Sequence, residues 1–196
     1  MTHDKKVIKA AWRKTNGIAS YAWKNCEGRK AVVEVFYDAD KIALIQNGKL
    51  VKTVKVKDNT AKFKVVYMPG ELEAIAYDAS GNEIARNKLV SASSNLSVKL
   101  NPEEKTIKVN DIVYVDVTIE DENGIVECNA DRKVKVEVEG GELLAFGSAN
   151  PRLVEDLHSG EYTTYYGRAL AIVKANKVGK INIKADNEVT EVNVEA

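Results

Sequence analysis

The chain is poor in the residues from which reactive sites are usually built. Its 196 residues include two histidines, two cysteines, two methionines and three prolines. His3 is terminal. His158 has Glu155, Asp156 and Glu161 near it in sequence, but Ser159–Gly160 is no nucleophile elbow, so Ser–His or Cys–His acyl transfer has no foothold. A turn hydrogen bond is the expected role of His158. Cys26 and Cys128 stand far apart without ligand-spaced neighbours, so two reduced thiols are expected and no zinc site. The longest apolar runs are four or five residues, as in "ALAIV", far short of a membrane-spanning helix. "EGGELLAFGS" is followed by strand instead of helix and is no phosphate loop. "DENG" at 121–124 lacks the spaced oxygens and distal glutamate of a calcium loop and reads as a hairpin turn. No metal and no cofactor are expected.

What the chain has is alternation. In "AKFKVVY", Phe63 and Val65 face one way while Lys62 and Lys64 face the other. "VKTVKVK" repeats the device with Val54 and Val56 against Lys55 and Lys57, and "DIVYVDVTIE" presents Val113, Val115, Val117 and Ile119 on one face. Asn47–Gly48, between two apolar runs, is a strong hairpin signal because both residues tolerate positive φ. Helical periodicity is confined to a weak stretch, "VIKAAWRKT", at 7–15. Each half holds six or seven short strands, so the expected fold is all-β, two tandem immunoglobulin-like β-sandwiches. The small polar stretch "SASSN" at 91–95 divides them into domains 1–93 and 94–196.

Charge supports that division. Net charge is zero, yet residues 1–94 carry 17 Lys and Arg against 10 Asp and Glu (+7), and residues 95–196 carry 12 against 19 (−7). The halves are expected to attract weakly, limited by salt screening. Lys55, Lys57, Lys62 and Lys64 read as a solvated sheet face that discourages edge aggregation. They lack interleaved aromatics, and nucleic acid is not an expected partner.

Two groups of residues are candidates for contact with something else. Trp12, Tyr21 and Trp23 cluster ahead of the first strong strand. They could stack on sugar rings or make an interdomain contact, or Trp23 could cap the core while Trp12 packs beside the N-terminus. The second group lies in "NPRLVEDLHSGEYTTYYGRALAIV" (150–173), whose first two-thirds has no period, a pattern found in functional or partner-binding loops. Here residues 148–167 are expected to form an ordered but mobile inter-strand loop. His158, Tyr162, Tyr165 and Tyr166 are its candidate docking residues.

Longer stretches of the chain resemble the region after the catalytic barrel in bacterial β-galactosidases of glycoside hydrolase family 2. They are "AAWRKTNGIASYAWKNCEGRKAVVEVFYDADKIALIQNGK", "YMPGELEAIAYDASGNEIARNKLVSA", and "DIVYVDVTIEDENGIVECNADRKVKVEVEGGELLAFGSANP" followed by "YYGRALAIVKA". The resemblance covers nearly the whole chain in matching order. Two positions depart from it: Gln46 stands where the family tends to place an apolar residue, and Tyr21 where tryptophan is commoner. Members of that family cleave β-glycosides with two glutamates on a (β/α)₈ barrel of about 250 residues. The chain is too short and too strand-rich to hold such a barrel, and no position here inherits those glutamates.

The resemblance therefore implies a fragment or truncated product carrying accessory domains that brace the barrel. The partners implied are the parent's own barrel and a second copy of the chain. An alternative is a pair of carbohydrate-binding modules whose partner is a β-galactoside-containing glycan; a free-standing enzyme is a third, disfavoured reading. "MTHDKKVIKAAW" has no secretory signal, so the compartment stays open, with the cytoplasm favoured for the parent. No membrane partner is expected.

Overall fold

Alternation of buried valine, isoleucine and phenylalanine with exposed lysine and glutamate sets the layers. The computed structural model describes Thr15 and residues 17–152 and 154–196. Trp12, His3 and the helical expectation for 7–14 lie outside the described residues. Two compact units are present, Met1–Ala92 and Ser93–Ala196, and no helix occurs among the described residues.

In the first unit β1 (Lys30–Phe36) pairs with β4 (Thr60–Val66). A second sheet holds β3 (Lys49–Lys55), β2 (Lys41–Gln46), β5 (Glu71–Tyr77) and β6 (Glu83–Val90), in that order. Ala61, Phe63 and Val65 of β4 meet Ile42, Leu44, Leu72 and Ala76 of the larger sheet in one core. The β2–β3 turn is the expected two-residue hairpin: Asn47 and Gly48 both have positive φ, 48° and 74°. Its asparagine also fastens the next turn. Asn47 Oδ1 accepts the Glu71 N–H at 2.7 Å, and Nδ2 donates to the Pro69 carbonyl at 3.0 Å. Gly70 makes room for it, since a Cβ there would lie 2.1 Å from that oxygen.

In the second unit a four-stranded sheet runs β11 (Glu142–Gly147), β13 (Arg168–Lys174), β9 (Ile112–Glu120), β7 (Ser97–Pro102). The facing sheet runs β12 (Glu161–Thr163), β10 (Lys133–Glu139), β14 (Gly179–Ala185), β15 (Glu188–Glu195), β8 (Thr106–Lys108). β7 and β8 are consecutive but sit in different sheets, and β8 joins the last strand in parallel. Between the sheets lie Val113, Val115, Val117 and Ile119 of β9, the 169, 171 and 173 positions of β13, and Phe146, Ile181, Ile183 and Val192. This is an all-β sandwich, and the period-two face expected of β9 is its inner face.

The "DENG" stretch makes a tight turn with Gly124 N–H on the Asp121 carbonyl at 3.0 Å. Asp121 is 2% exposed. Burial alone would push its pKa up. The N–H groups of Ser93, Ile125 and Asn123, with the Asn123 side chain, outweigh that and hold the carboxyl below its ordinary value.

Candidate functional site

The first candidate group centres on Tyr21. It is 4% exposed, inside the core and edge-on to the buried Tyr67, with ring centroids 5.1 Å apart. Its ring is a packing element, which corrects the expectation of a sugar platform at this position: the exposed face that stacking needs is absent. The tyrosine hydroxyl still needs a partner when buried. It receives the Gln46 amide at 2.6 Å, and the same amide donates to the Val66 carbonyl at 2.9 Å. Tyr21 and Gln46, the two departures from the family pattern, are thus joined by one hydrogen bond. Polar Gln46 is matched to polar Tyr21.

Tyr67 closes this end of the unit. Its hydroxyl accepts the Trp23 N–H at 3.2 Å and lies 3.2 Å from both the Tyr21 carbonyl and Ser91 Oγ. Trp23 is half-buried against the core and donates its indole N–H to the Ser20 carbonyl at 3.2 Å. Of the three aromatics, then, Tyr21 is interior, Trp23 caps the core, and Trp12 is outside the described residues.

The second group is split by the fold. The expected loop 148–167 is interrupted by β12, which pairs with β10, because Tyr162 between the polar Glu161 and Thr163 fits a strand with one face inward. Tyr162 is 4% exposed and belongs to the core, so it is not a docking residue. The Tyr165 and Tyr166 rings lie 4.3 Å apart, tilted by 52°, where a tight turn reverses the chain into β13. Tyr166 has φ 53° and Gly167 φ 69°, a conformation that is unfavourable for a bulky side chain. Gly167 is required there twice over: a Cβ would come 2.4 Å from the Glu127 carbonyl oxygen.

His158 does form turn hydrogen bonds. Its N–H donates to Asp156 Oδ1 at 2.9 Å, and its ring Nδ1 lies 2.9 Å from the Leu144 carbonyl. A carbonyl only accepts, so the proton in that contact is on Nδ1. The neighbouring carboxylates point elsewhere. Glu155 accepts the N–H and hydroxyl of Thr163 at 2.7 and 2.9 Å, and Glu161 pairs with Lys133 at 2.9 Å. That hydrogen bond raises the Lys133 pKa. Lys133, Glu155, Asp156, Ser159 and Glu161 line an open cleft of about 370 Å³. No group of three His, Cys, Asp or Glu side chains among the described residues could hold a metal ion. Cys128 is buried and Cys26 half-buried, neither in a disulfide.

The apolar surface of this region comes from residues that sequence periodicity passes over. Val154 is fully exposed in the loop, and Leu157 is 46% exposed. Leu157 folds back over Gly147: its backbone carbonyl accepts the Phe146 N–H at 2.8 Å, and a Cβ on Gly147 would meet Leu157 Cδ2 at 2.3 Å. Across the ladder from Gly147 is Leu170, and beside it Ile172 stands opposite Tyr114. Leu170, Ile172, Tyr114 and Ile112 form an apolar strip on the outer face of the sheet, partly open to solvent and bordered by Asp116 opposite Leu170 and Lys174 opposite Ile112, and Leu157 covers the sheet at Gly147. The available signal was the unbroken apolar run of β13, which marks a strand covered on both faces, together with a glycine inside a strand.

Residues 96–193, half of the chain, match the sequence profile of glycoside hydrolase family 2 C-terminal domain 5. The chain belongs to this family. Residues 28–85 match a second profile, described as a domain of unknown function (DUF4982). The β-galactosidase BoGH2A of Bacteroides ovatus is 26% identical over 173 residues, covering 85% of this chain and 20% of the relative. A glycosyl hydrolase family 2 member from Bacteroides cellulosilyticus shares the fold with a TM-score of 0.83 at 23% identity, over 91% of this chain and 24% of its own. A β-glycosidase from Bacteroides vulgatus does so with a TM-score of 0.75 at 19% identity, over 90% of this chain and 24% of its own. The chain thus spans about a fifth of the length of the curated relative it matches.

Proposed function

We propose that the two sandwiches are non-catalytic accessory units of a family 2 glycoside hydrolase of β-galactosidase type, and that they brace its catalytic barrel. The outer strip of the second unit, with Val154 of the loop, is the docking surface. The observation that carries this reading is the two-sided apolar character of β13. Its inner face is fully packed, yet on the other side Leu170 and Ile172, between Arg168 and Lys174, continue an apolar strip with Tyr114 and Ile112. Open sandwich sheets normally alternate apolar and polar residues, and an apolar outer face marks a contact. The curated relative is about five times longer than the stretch matched here, so enzymes of this kind have a body large enough to cover such a strip.

Chemistry is assigned to that body. Retaining glycoside hydrolysis needs two carboxyls about 5 Å apart across the scissile bond. The carboxylates of the loop are instead engaged with Thr163, the His158 N–H and Lys133. Leu170→Asp in the full-length enzyme tests the reading. It is expected to lower the thermal midpoint and free the accessory units to protease while leaving the turnover of intact enzyme unchanged. An unchanged midpoint and unchanged protease resistance would overturn docking by this face. The purified chain is expected to release no nitrophenol from nitrophenyl β-galactoside. In titration calorimetry, heat with galactose or lactose that vanishes in Trp23→Ala would replace this reading with glycan binding.

A further inference from the structure

We infer that the join between the two units is a one-residue hinge at Ala92, because a serine on each side is clamped into its own unit. By composition "SASSN" is a flexible five-residue linker. The hydrogen bonds leave far less of it free. On the first side, the Ser91 N–H donates to the Gly70 carbonyl at 2.9 Å. Its hydroxyl donates to the Tyr21 carbonyl at 2.7 Å and accepts the Gly70 N–H at 3.2 Å. Both partners belong to the buried end of the first unit, so Ser91 moves with that unit.

On the second side, the Ser93 N–H donates to Asp121 Oδ2 at 2.8 Å, and the Ser93 hydroxyl donates to Glu122 Oε2 at 2.8 Å. That hydroxyl also accepts the Asn95 N–H at 3.2 Å, which fixes the next turn of chain. Asp121 cannot follow a swinging linker. Its other oxygen accepts the N–H groups of Asn123 and Ile125, both at 2.9 Å, and the carboxylate is buried. Ser93 therefore moves with the second unit.

Between the clamps only the torsions flanking Ala92 remain free. Ser91 and Ser93 are two residues apart, a span of at most about 7 Å. Five free residues would be a random coil with a reach of roughly 12 Å. The free part of the join is accordingly one alanine long. A buried carboxylate holding three backbone N–H groups serves here as the anchor of a joint.

Backbone ¹⁵N relaxation on this chain tests the hinge. Lowered heteronuclear NOE is expected at Ala92 alone, with Ser93 to Asn95 as ordered as β9. In Glu122→Ala and in Asp121→Asn, the lowered stretch is expected to spread from Ala92 to Asn95, and cleavage there by a broad-specificity protease to rise several-fold. Glu122 is at the surface of the turn, so that variant keeps the test open should Asp121→Asn fail to fold. A continuous low-NOE stretch over 91–95 in the unaltered chain would overturn the proposal. Equal cleavage rates in the unaltered chain and Glu122→Ala would do so too.

Discussion

The two units reach a closed β-structure by different means. Among the described residues, the second unit has twenty buried apolar side chains in one core, mostly valine, isoleucine and alanine from nine strands. The first has nine, and it closes one end with a polar group: Tyr21, Tyr67, Gln46 and Ser91 bonded to one another and to backbone. Burial is non-directional and tolerant of small shifts, whereas a buried hydrogen-bond network is costly when any member is missing. The second unit should therefore yield mainly to cavities, and the first to the loss of single polar atoms. Calorimetry of this chain is expected to show two transitions, the lower belonging to the first unit.

Phe146→Ala should break that comparison most severely. Phe146 is fully buried between the sheets, and its truncation is expected to cost about 3–5 kcal/mol. The upper transition should then drop by about 15 °C or more and fall onto or below the lower one, which stays in place. Tyr67→Phe is the counterpart in the first unit. It keeps the ring and strips the hydroxyl from the Trp23 N–H and Ser91 Oγ, and should cost about 1–3 kcal/mol, read as a fall in the lower transition only.

A double-mutant cycle sharpens the same contrast. Tyr21→Phe and Gln46→Leu should each destabilise the first unit, and together less than their sum, with a coupling of about 0.5–1.5 kcal/mol. Strict additivity would mean that the 2.6 Å contact contributes nothing. Acid separates the units in the other direction. Because the Asp121 carboxyl is held below its ordinary value when folded, its contribution is complete above the unfolded carboxylate pKa of about 3.9. It is lost as pH falls through the lower folded value. The upper transition should fall in that range, and the fall should be smaller in Asp121→Asn. The smallest effect is expected at the surface: Lys88→Met breaks the pair with Glu71 at 2.8 Å and should leave both transitions unmoved, as exposed pairs add little.

Much of the scaffold was legible in the sequence and little of the contact surface. The strands at 60–66, 112–120 and 133–139 follow from period-two alternation, and the turns at Asn47–Gly48 and 121–124 from residues that accept tight backbone conformations. The weakest reading was the loop. Tyr162 looks like a surface aromatic because its strand is only three residues long, too few to show a period, yet pairing with β10 turns it inward. The Tyr67 hydroxyl joins residues 24 to 46 positions away, and contacts at such separation leave no local pattern. Leu157 over Gly147 is of the same kind, signalled only by a glycine within a strand.

The outer strip of the second unit is expected to be covered in the whole enzyme and open in this chain. Amide hydrogen exchange at residues 149, 150, 152 and 154, and at Leu170 and Ile172, measured in both the isolated chain and a full-length family 2 enzyme carrying these units, tests it most directly. Slower exchange in the full-length protein at these positions, with no difference at β14 and β15, is the predicted result. The same rates in both proteins would contradict it.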